Sequence, residues 1–456
     1  MNMVSGSLFD EGELGPDGKR PENPEPISTS QLRLRKAERS QVEFFEMSLD
    51  ELIEPNHVVR SIWSSVCQLD LTPWTNVIRV ATGTVGRNHT DPRILLSLWI
   101  FATTQSVSSA REIDRLCIDH LAYRWLCGGI SVNYHMLADF RSHGLKNLEQ
   151  LMTHIVASLM NEGLVKLERV SQDGMRVRAN AGSSSFRRAG TLKQCLEEAE
   201  KHIKELSEQL DSNTDETQKR NSQIQAAQAR QARIAAALAE CESIEKERAE
   251  KTNKKNAKRV QREVRASTTD VDARVMKFPN GGYQPGANVQ FSTDNASGVI
   301  VGVAVTNSGS DSNELPPMLD QLSERYGKLP EEALIDGGFA TSSSVEFAHA
   351  AGVVVYAPLK EEEKQIAAGK DPYAKKKGDS EAIEQWRARM GKEESKKIYR
   401  ERSSVAEWVN AGARNRGCYQ MPVRGKNKWQ CVALLHAITH NLLQAVKLRG
   451  KICAAA

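Results

Sequence analysis

The chain has 456 residues, 39% hydrophobic and 26% charged, which is enough for two or three domains and at least one sizeable core. Its 62 basic residues against 58 acidic ones leave a formal charge of only +4, so bulk charge names no partner and the placement of charge must decide. Eight cysteines with no Cys-x-x-Cys pair, and no histidine pair at ligand spacing, exclude a zinc module and read as reduced thiols of a cytoplasmic protein.

Residues 1–32 are rich in Gly, Pro, Glu, Asp and Ser and read as a disordered tail with no signal-peptide pattern. The longest apolar run, Ile94–Ala102, is too short to span a bilayer. Residues 33–166 read as a helical domain. Val42–Met47 and Leu49–Ile53 carry apolar residues before a break at Pro55, and His57–Leu71 places Val58, Val59, Ile62, Trp63 and Val66 at helical spacing. Asp91-Pro92 is a helix start, and Arg93–Thr104, apolar nearly all round, predicts a buried helix. Helices follow over Ala110–Cys117, Leu121–Leu126, Ser131–His143 and Leu148–Glu162, with a turn at Gly128-Gly129. Short helices joined by small turns fit helix-turn-helix organisation.

Leu167–Arg178 alternates like a strand. From 191 to 265 the pattern is helical again. Leu196, Ala199, Ile203, Leu206 and Leu210, then Ile224, Ala227, Ile234, Leu238 and Cys241, step by three and four as coiled-coil seams do. A polar break at 211–217 makes this an antiparallel hairpin, and Lys251–Arg265 gives its far end a strongly basic character. Beyond it, Asn288–Thr293, Val299–Thr306, Glu332–Ile335 and Val353–Ala357 read as strands. Leu315–Tyr326, Ser342–Ala351, Ser395–Ala411 and Gln430–Leu448 read as helices. Residues 360–397 are very polar, part loop and part helix. The fold class is therefore mixed α/β after an all-helical start.

Three carboxylates adjoin buried elements. Asp173 lies within the first strand pattern, Asp336 follows the apolar Ala-Leu-Ile and precedes two glycines, and Glu407 lies in a helix rich in basic residues. Such a set suits phosphodiester chemistry, in which two magnesium ions about 3.5–4 Å apart activate a water and stabilise the leaving oxygen. Taken singly, a strand-end Asp is more often a turn residue, and a helical Glu a solvated one. The segment KIYRERSSVAEWVNAGAR adds Tyr399, Arg402 and Arg414. Glu407 and Arg414, seven residues apart, share a helix face, while Arg402 and Glu407 are a turn and a half apart and out of alignment on an α-helix.

With these residues in place, the sequence resembles the bacterial insertion-sequence transposases that carry a ribonuclease H-like catalytic domain and a Tyr–Arg–Glu–Lys signature. The resemblance runs from about Val42 to Leu448, through DPRILLSLWIFA, SAREIDRL, YRWLCGG, VSQDGMRVRANA, ALIDGGFA, YRERSSVAEWVNAGAR and LLHAITHNLLQAVKL in that order. It implies a ribonuclease H-like core over residues 167–190 and 266–450, interrupted by a coiled-coil helical-hairpin insertion at 191–265. It also implies Asp173, Asp336 and Glu407 as a metal-binding DDE triad, with magnesium as the ion and manganese able to substitute. Tyr399, Arg402 and Arg414 are then auxiliary, with Arg414 in the place of the signature lysine. The second motif reads Asp-Gly-Gly-Phe where Asp-Ala-Gly-Tyr is commoner, and Trp-Val follows Glu407 where Pro-x-Phe is more usual.

The implied reaction is cleavage at terminal inverted repeats, freeing a 3′ hydroxyl that attacks target DNA. The implied partners are double-stranded DNA and further copies of the chain, a homodimer or higher multimer, with no membrane and a nucleoid-associated place in the cytoplasm. Asn133, Tyr134, His135 and Arg141 on Ser131–His143 are candidates for reading a groove, and Arg176 and Arg178 for holding backbone phosphate. Arg187, Arg188, Lys251–Arg265 and Arg424 are further basic groups, each equally a solvated surface. Two rival readings are a transposase-derived DNA-binding protein that no longer cuts, and a coiled-coil scaffold. The scaffold accounts only for 191–264, and the first rival should have lost a carboxylate.

Overall fold

A computed structural model describes residues 47–76, 89–210, 217–250 and 263–455. The expected tail, Val42–Glu46 and most of the basic Lys251–Arg265 tip lie outside them.

The first helices form as their sequence signals require. Helix α1 (Val58–Cys67) buries Val59, Ile62 and Val66 on one face. Helix α2 (Thr72–Thr75) is a single turn. Helix α3 (Pro92–Thr104) starts where Asp91 accepts a hydrogen bond from the Arg93 N–H, with Pro92 in its first turn. Its buried face extends nearly all round, and the Trp99 indole donates to Leu137 O at 3.0 Å. Helices α4 (Ala110–Asp119), α5 (Leu121–Cys127), α6 (Tyr134–His143) and α7 (Leu145–Asn161) surround it. Gly128 ends α5 at φ 56°, a left-handed cap that costs glycine nothing.

The main sheet has the order β6-β5-β1-β7-β8. Strands β1 (Arg169–Arg178), β5 (Tyr283–Asp294) and β6 (Ile300–Thr306) run antiparallel to their neighbours, and β4 (Arg274–Lys277) also pairs antiparallel with β5. Strands β7 (Glu332–Ile335) and β8 (Val354–Tyr356) extend the sheet in parallel from β1. The apolar Ala-Leu-Ile of β7 is buried throughout, as a strand covered on both faces should be. The crossover helices α10 (Leu315–Tyr326) and α11 (Ser342–Ala350) supply cover. Downstream lie α12 (Glu362–Ala367), α13 (Glu381–Met390), α14 (Glu393–Arg402), a π-helical turn (Ser403–Glu407) and α15 (Trp408–Asn415).

The last helix, α16 (Lys426–Ala455), holds the two halves together. It packs on α3, α6, α7 and β6, and one continuous buried core runs from Ile53 to Ala445. Its Lys426–Gly450 stretch is long and apolar enough to cross a membrane, but 72% of that window is buried inside the protein, as in a core helix. The helical segment and the sheet therefore share one core, and Leu49 onward clusters as one unit. Position 166 is not a packing boundary.

Side chains answer the outer backbone of β6 and of β8. On β6, Asn441 accepts from Ile300 N at 2.8 Å and donates to Ile300 O at 2.7 Å. Gln321 does the same for Val303, at 2.9 and 3.0 Å. Tyr326 donates to Val301 O. On β8, Arg389 donates to Val355 O at 3.0 Å. These groups satisfy backbone that an edge strand would otherwise leave open.

The insertion is a hairpin of α8 (Ala189–Leu210) and α9 (Thr217–Glu250), tied down by a ribbon of β2 (Phe186–Arg188) and β3 (Arg265–Ser267). Its own small core contains Leu192, Ala199, Ile234, Ala237, Cys241, Val264 and Ala266. The expected helical seam is therefore tight only at the base. Leu206 and Ala227, farther out, line an open cleft.

Two histidines one turn apart on α16 make stability depend on acid. Burial pushes both His436 and His440 down to about 4, and His440 shares a 2.8 Å hydrogen bond with Gly298 O. Their folded affinity for protons lies below the unfolded value of 6.5. The unfolded chain therefore takes up protons first as pH falls, and their stabilising contribution, full above about 6.5, is lost toward pH 4. Between pH 7 and 5 each should cost about 2 kcal/mol. Asp270, raised to about 6 by burial, works the other way in that window. Urea unfolding of wild type and His440→Gln at both pH values checks this: the variant should lose about 2 kcal/mol less on acidification. An equal loss would remove His440 from the account.

Candidate functional site

The β1–β7 register pairs Gln172 with Ile335 in parallel. Asp173 follows Gln172 within β1 and Asp336 follows the last residue of β7, close enough for the Asp336 charge to act on the Asp173 carboxyl. The structure thus brings together two of the three acids expected from sequence. Burial raises the Asp173 carboxyl above the ordinary range, the neighbouring Arg402 guanidinium opposes that, and the charges of Asp311 and Asp336 add to the rise. Asp336 is exposed at the strand end, just before Gly337-Gly338.

The helical run α14–π turn–α15 packs across this face, touching β1 and β5. Arg402 Nη2 pairs with Asp173 Oδ1 at 2.9 Å, its side chain only 11% exposed. Asn410 Nδ2 donates to Asp173 Oδ2 at 2.9 Å, and the Gly174 N–H donates to Oδ1. Tyr399 lies beside Arg402 and within electrostatic reach of both aspartates, and burial raises its phenol. The Arg402 Nε and Asn410 Oδ1 atoms are buried without hydrogen-bond partners.

A π turn, Ser403–Glu407, follows Arg402 directly and carries Glu407 at its end; the Arg402 side chain is 11% exposed, whereas Glu407 is exposed. Glu407 lies one turn before Asn410. Arg414 is exposed two turns on. Glu407 is not gathered with the aspartates: among the described residues no three His, Cys, Asp or Glu side chains cluster as a metal site.

Two residues had no sequence signal. Asn410 looks like any helical polar residue, and only the fold brings it to Asp173. Asp311, in the loop before α10, accepts from Asn288 at 2.7 Å and Gln290 at 2.8 Å and pairs with Arg176 at 3.2 Å. It lies so close over Gly174 that any Cβ there would collide with it.

The expected groove-reading residues fare unevenly. Arg141 is a correction: it is 6% exposed, donates to Ser108 O at 2.7 Å and stacks on Trp99, so it props the helical core and cannot reach a groove. Asn133 spends its side-chain oxygen capping α6 through Met136 N. Tyr134 packs between His135 and Arg111. Only His135, exposed, is uncommitted to the fold in this way. Arg176 is held by Asp311 and Gly309 O, whereas the Arg178 side chain is exposed.

Comparison with known families finds two matches. Residues 47–143 match a transposase domain (DUF772), which covers α1 to α6. Residues 367–446 match a transposase DDE domain, which covers Tyr399, Arg402, Glu407 and Arg414. Neither a curated protein nor a solved structure matches. Two transposase matches, in the order the sequence motifs require and on either side of the acid-bearing sheet, support an insertion-sequence transposase of the DDE type.

Proposed function

We propose that this protein binds the terminal inverted repeats of its element and cuts and joins DNA at a site formed by Asp173, Asp336 and Glu407 on a ribonuclease H-like core. The observation that carries the proposal is the parallel pairing of β1 with β7, which brings Asp173 and Asp336 within electrostatic reach of each other beside the helical run that bears Glu407. The sheet order, three antiparallel strands continued by two parallel ones, supports the ribonuclease H-like reading.

The donors fit a hard divalent ion: all are carboxylates, and Asp173 and Asp336 are close enough to repel each other. Magnesium, with manganese as substitute, would be held by Asp173, Asp336 and Glu407, and when bound it activates water and stabilises the leaving oxygen. The remaining work belongs to the chain. Asn410 and the Gly174 N–H orient the Asp173 carboxylate. Arg402 balances its charge and, one π turn from Glu407, is placed to meet a phosphate oxygen. Arg414 adds a second cation on the Glu407 face. Residues 33–166 serve end recognition, and two or more copies pair the ends in the bacterial cytoplasm.

A labelled duplex carrying the element's own terminal repeat tests this. Wild type should nick at the repeat end only with magnesium or manganese, and Asp336→Ala should bind but not cut. Binding without cutting by wild type in either ion would make the chain a DNA-binding descendant. Equal cutting by both proteins would move the activity away from these acids.

A further inference from the structure

Four arginines from three separated stretches of chain converge where the helical insertion meets the core. Arg187 of β2, Arg230 and Arg233 of α9, and Arg424 of the loop before α16 line a cavity of about 330 Å³, together with Thr268 and Thr269. No carboxylate lines it. Arg424 spends its Nε on Asn180 O at 3.2 Å, and among the described residues none of the four guanidinium groups is in an ion pair. The nearest arginine of the ribbon, Arg188, by contrast pairs with Glu263.

The buried Asp270 carboxylate lies within electrostatic reach of Arg424, while Arg187, Arg230 and Arg233 gather with no carboxylate in the lining, so an anion in the cavity would relieve their repulsion. Guanidinium forks with flanking hydroxyls match a phosphate, which accepts two parallel N–H bonds from each arginine. The cavity also lies near the acids. Arg424 rests on Asn180, seven residues along an extended chain from Asp173, so the cavity lies within about 25 Å of the acids. Phosphates of one DNA strand follow one another every 3.4 Å along the axis, so a duplex held at the acids would present backbone there within about seven base pairs.

We propose that this arginine-lined cavity binds a backbone phosphate of the DNA that flanks the cutting site, which makes the helical insertion part of the DNA-binding surface. The proposal rests on the transposase reading and adds to it a contact blind to base sequence.

Arg230 and Arg233 are exposed, so Arg230→Gln/Arg233→Gln should fold normally. Duplex affinity of the full chain is measured across a salt series with calcium in place of magnesium, so that binding is read without cutting. The double variant should bind about tenfold more weakly to repeat and random duplexes alike, and the slope of log affinity against log salt should flatten by about one to two units. Lys201→Gln/Lys204→Gln removes the same charge from α8, away from the cavity, and should leave the slope unchanged. Equal flattening by both pairs would show a diffuse field and no site. An unchanged slope in the arginine pair would overturn the proposal. If inorganic phosphate raised the melting temperature of wild type but not of the variant while the slope stayed fixed, the cavity would serve small phosphates and not DNA. A change in oligomeric mass with an unchanged slope would make it a contact between copies. Failure of wild type to bind any duplex would remove the transposase reading as well. A wild type that cuts, with a variant of identical slope, would remove only the cavity.

Discussion

Asp173→Asn should lower strand cleavage by about three orders of magnitude or more, in line with the loss of a group whose charge is needed in the transition state. Asparagine keeps the volume, but its single amide oxygen can accept from Asn410 or from Gly174 N, not from both. It cannot neutralise Arg402, whose 11% exposed side chain then keeps a charge without its partner. Stability should therefore fall by about 2 kcal/mol, less than the ~3–5 kcal/mol for breaking a fully buried ion pair, because Asp173 is itself 23% exposed and loses its own burial cost. Asp336 is exposed and forms no ion pair among the described residues, so Asp336→Ala should lose cleavage with stability nearly unchanged. Urea unfolding beside the cleavage assay separates the two variants. If Asp173→Asn were as stable as wild type, the Arg402 pair would be too well solvated to matter. If it still cut, Asp173 would not hold the ion.

The second large effect is structural. Asn441→Ala should cost about 3 kcal/mol or more in urea unfolding. The amide answers both the N–H and the C=O of Ile300, and all of these atoms are buried. Its loss leaves two buried backbone groups unpaired, each worth about 1–3 kcal/mol, and opens a small void against Met152. Gln444→Ala nearby removes a single bond, to Ser297 O, and should cost about 1 kcal/mol. Equal costs would mean that water replaces the Asn441 amide freely.

Much of the architecture was legible because local signals agreed with the fold. Asp91-Pro92 starts α3 where capping chemistry demands, Gly128 ends α5, and Ala-Leu-Ile forms β7 because only a covered parallel strand is apolar on both faces. What escaped depended on distance in sequence. Arg141 read as a groove contact because its charge is visible and its burial against Trp99 is not. The π turn before α15 was also hidden, because helical periodicity assumes an α-helix and nothing in Ser-Ser-Val-Ala-Glu announces it. Asn410 and Asp311 were silent because each gains meaning only from strands that the fold brings to it, Asp173 to Asn410, and Asn288, Gln290 and Arg176 to Asp311. The hairpin seam was over-read: its period continues outward past the point where the two helices cover each other.

The side chains that answer the backbone of β6 and β8 also decide how copies of this protein can meet. A strand offered by a second molecule would find Ile300, Val301, Val303 and Val355 already bonded to Asn441, Tyr326, Gln321 and Arg389. Growing the sheet across two molecules would first break those bonds at buried positions. Along β6 and β8, the sheet is thereby held as the framework of the chain's own acids.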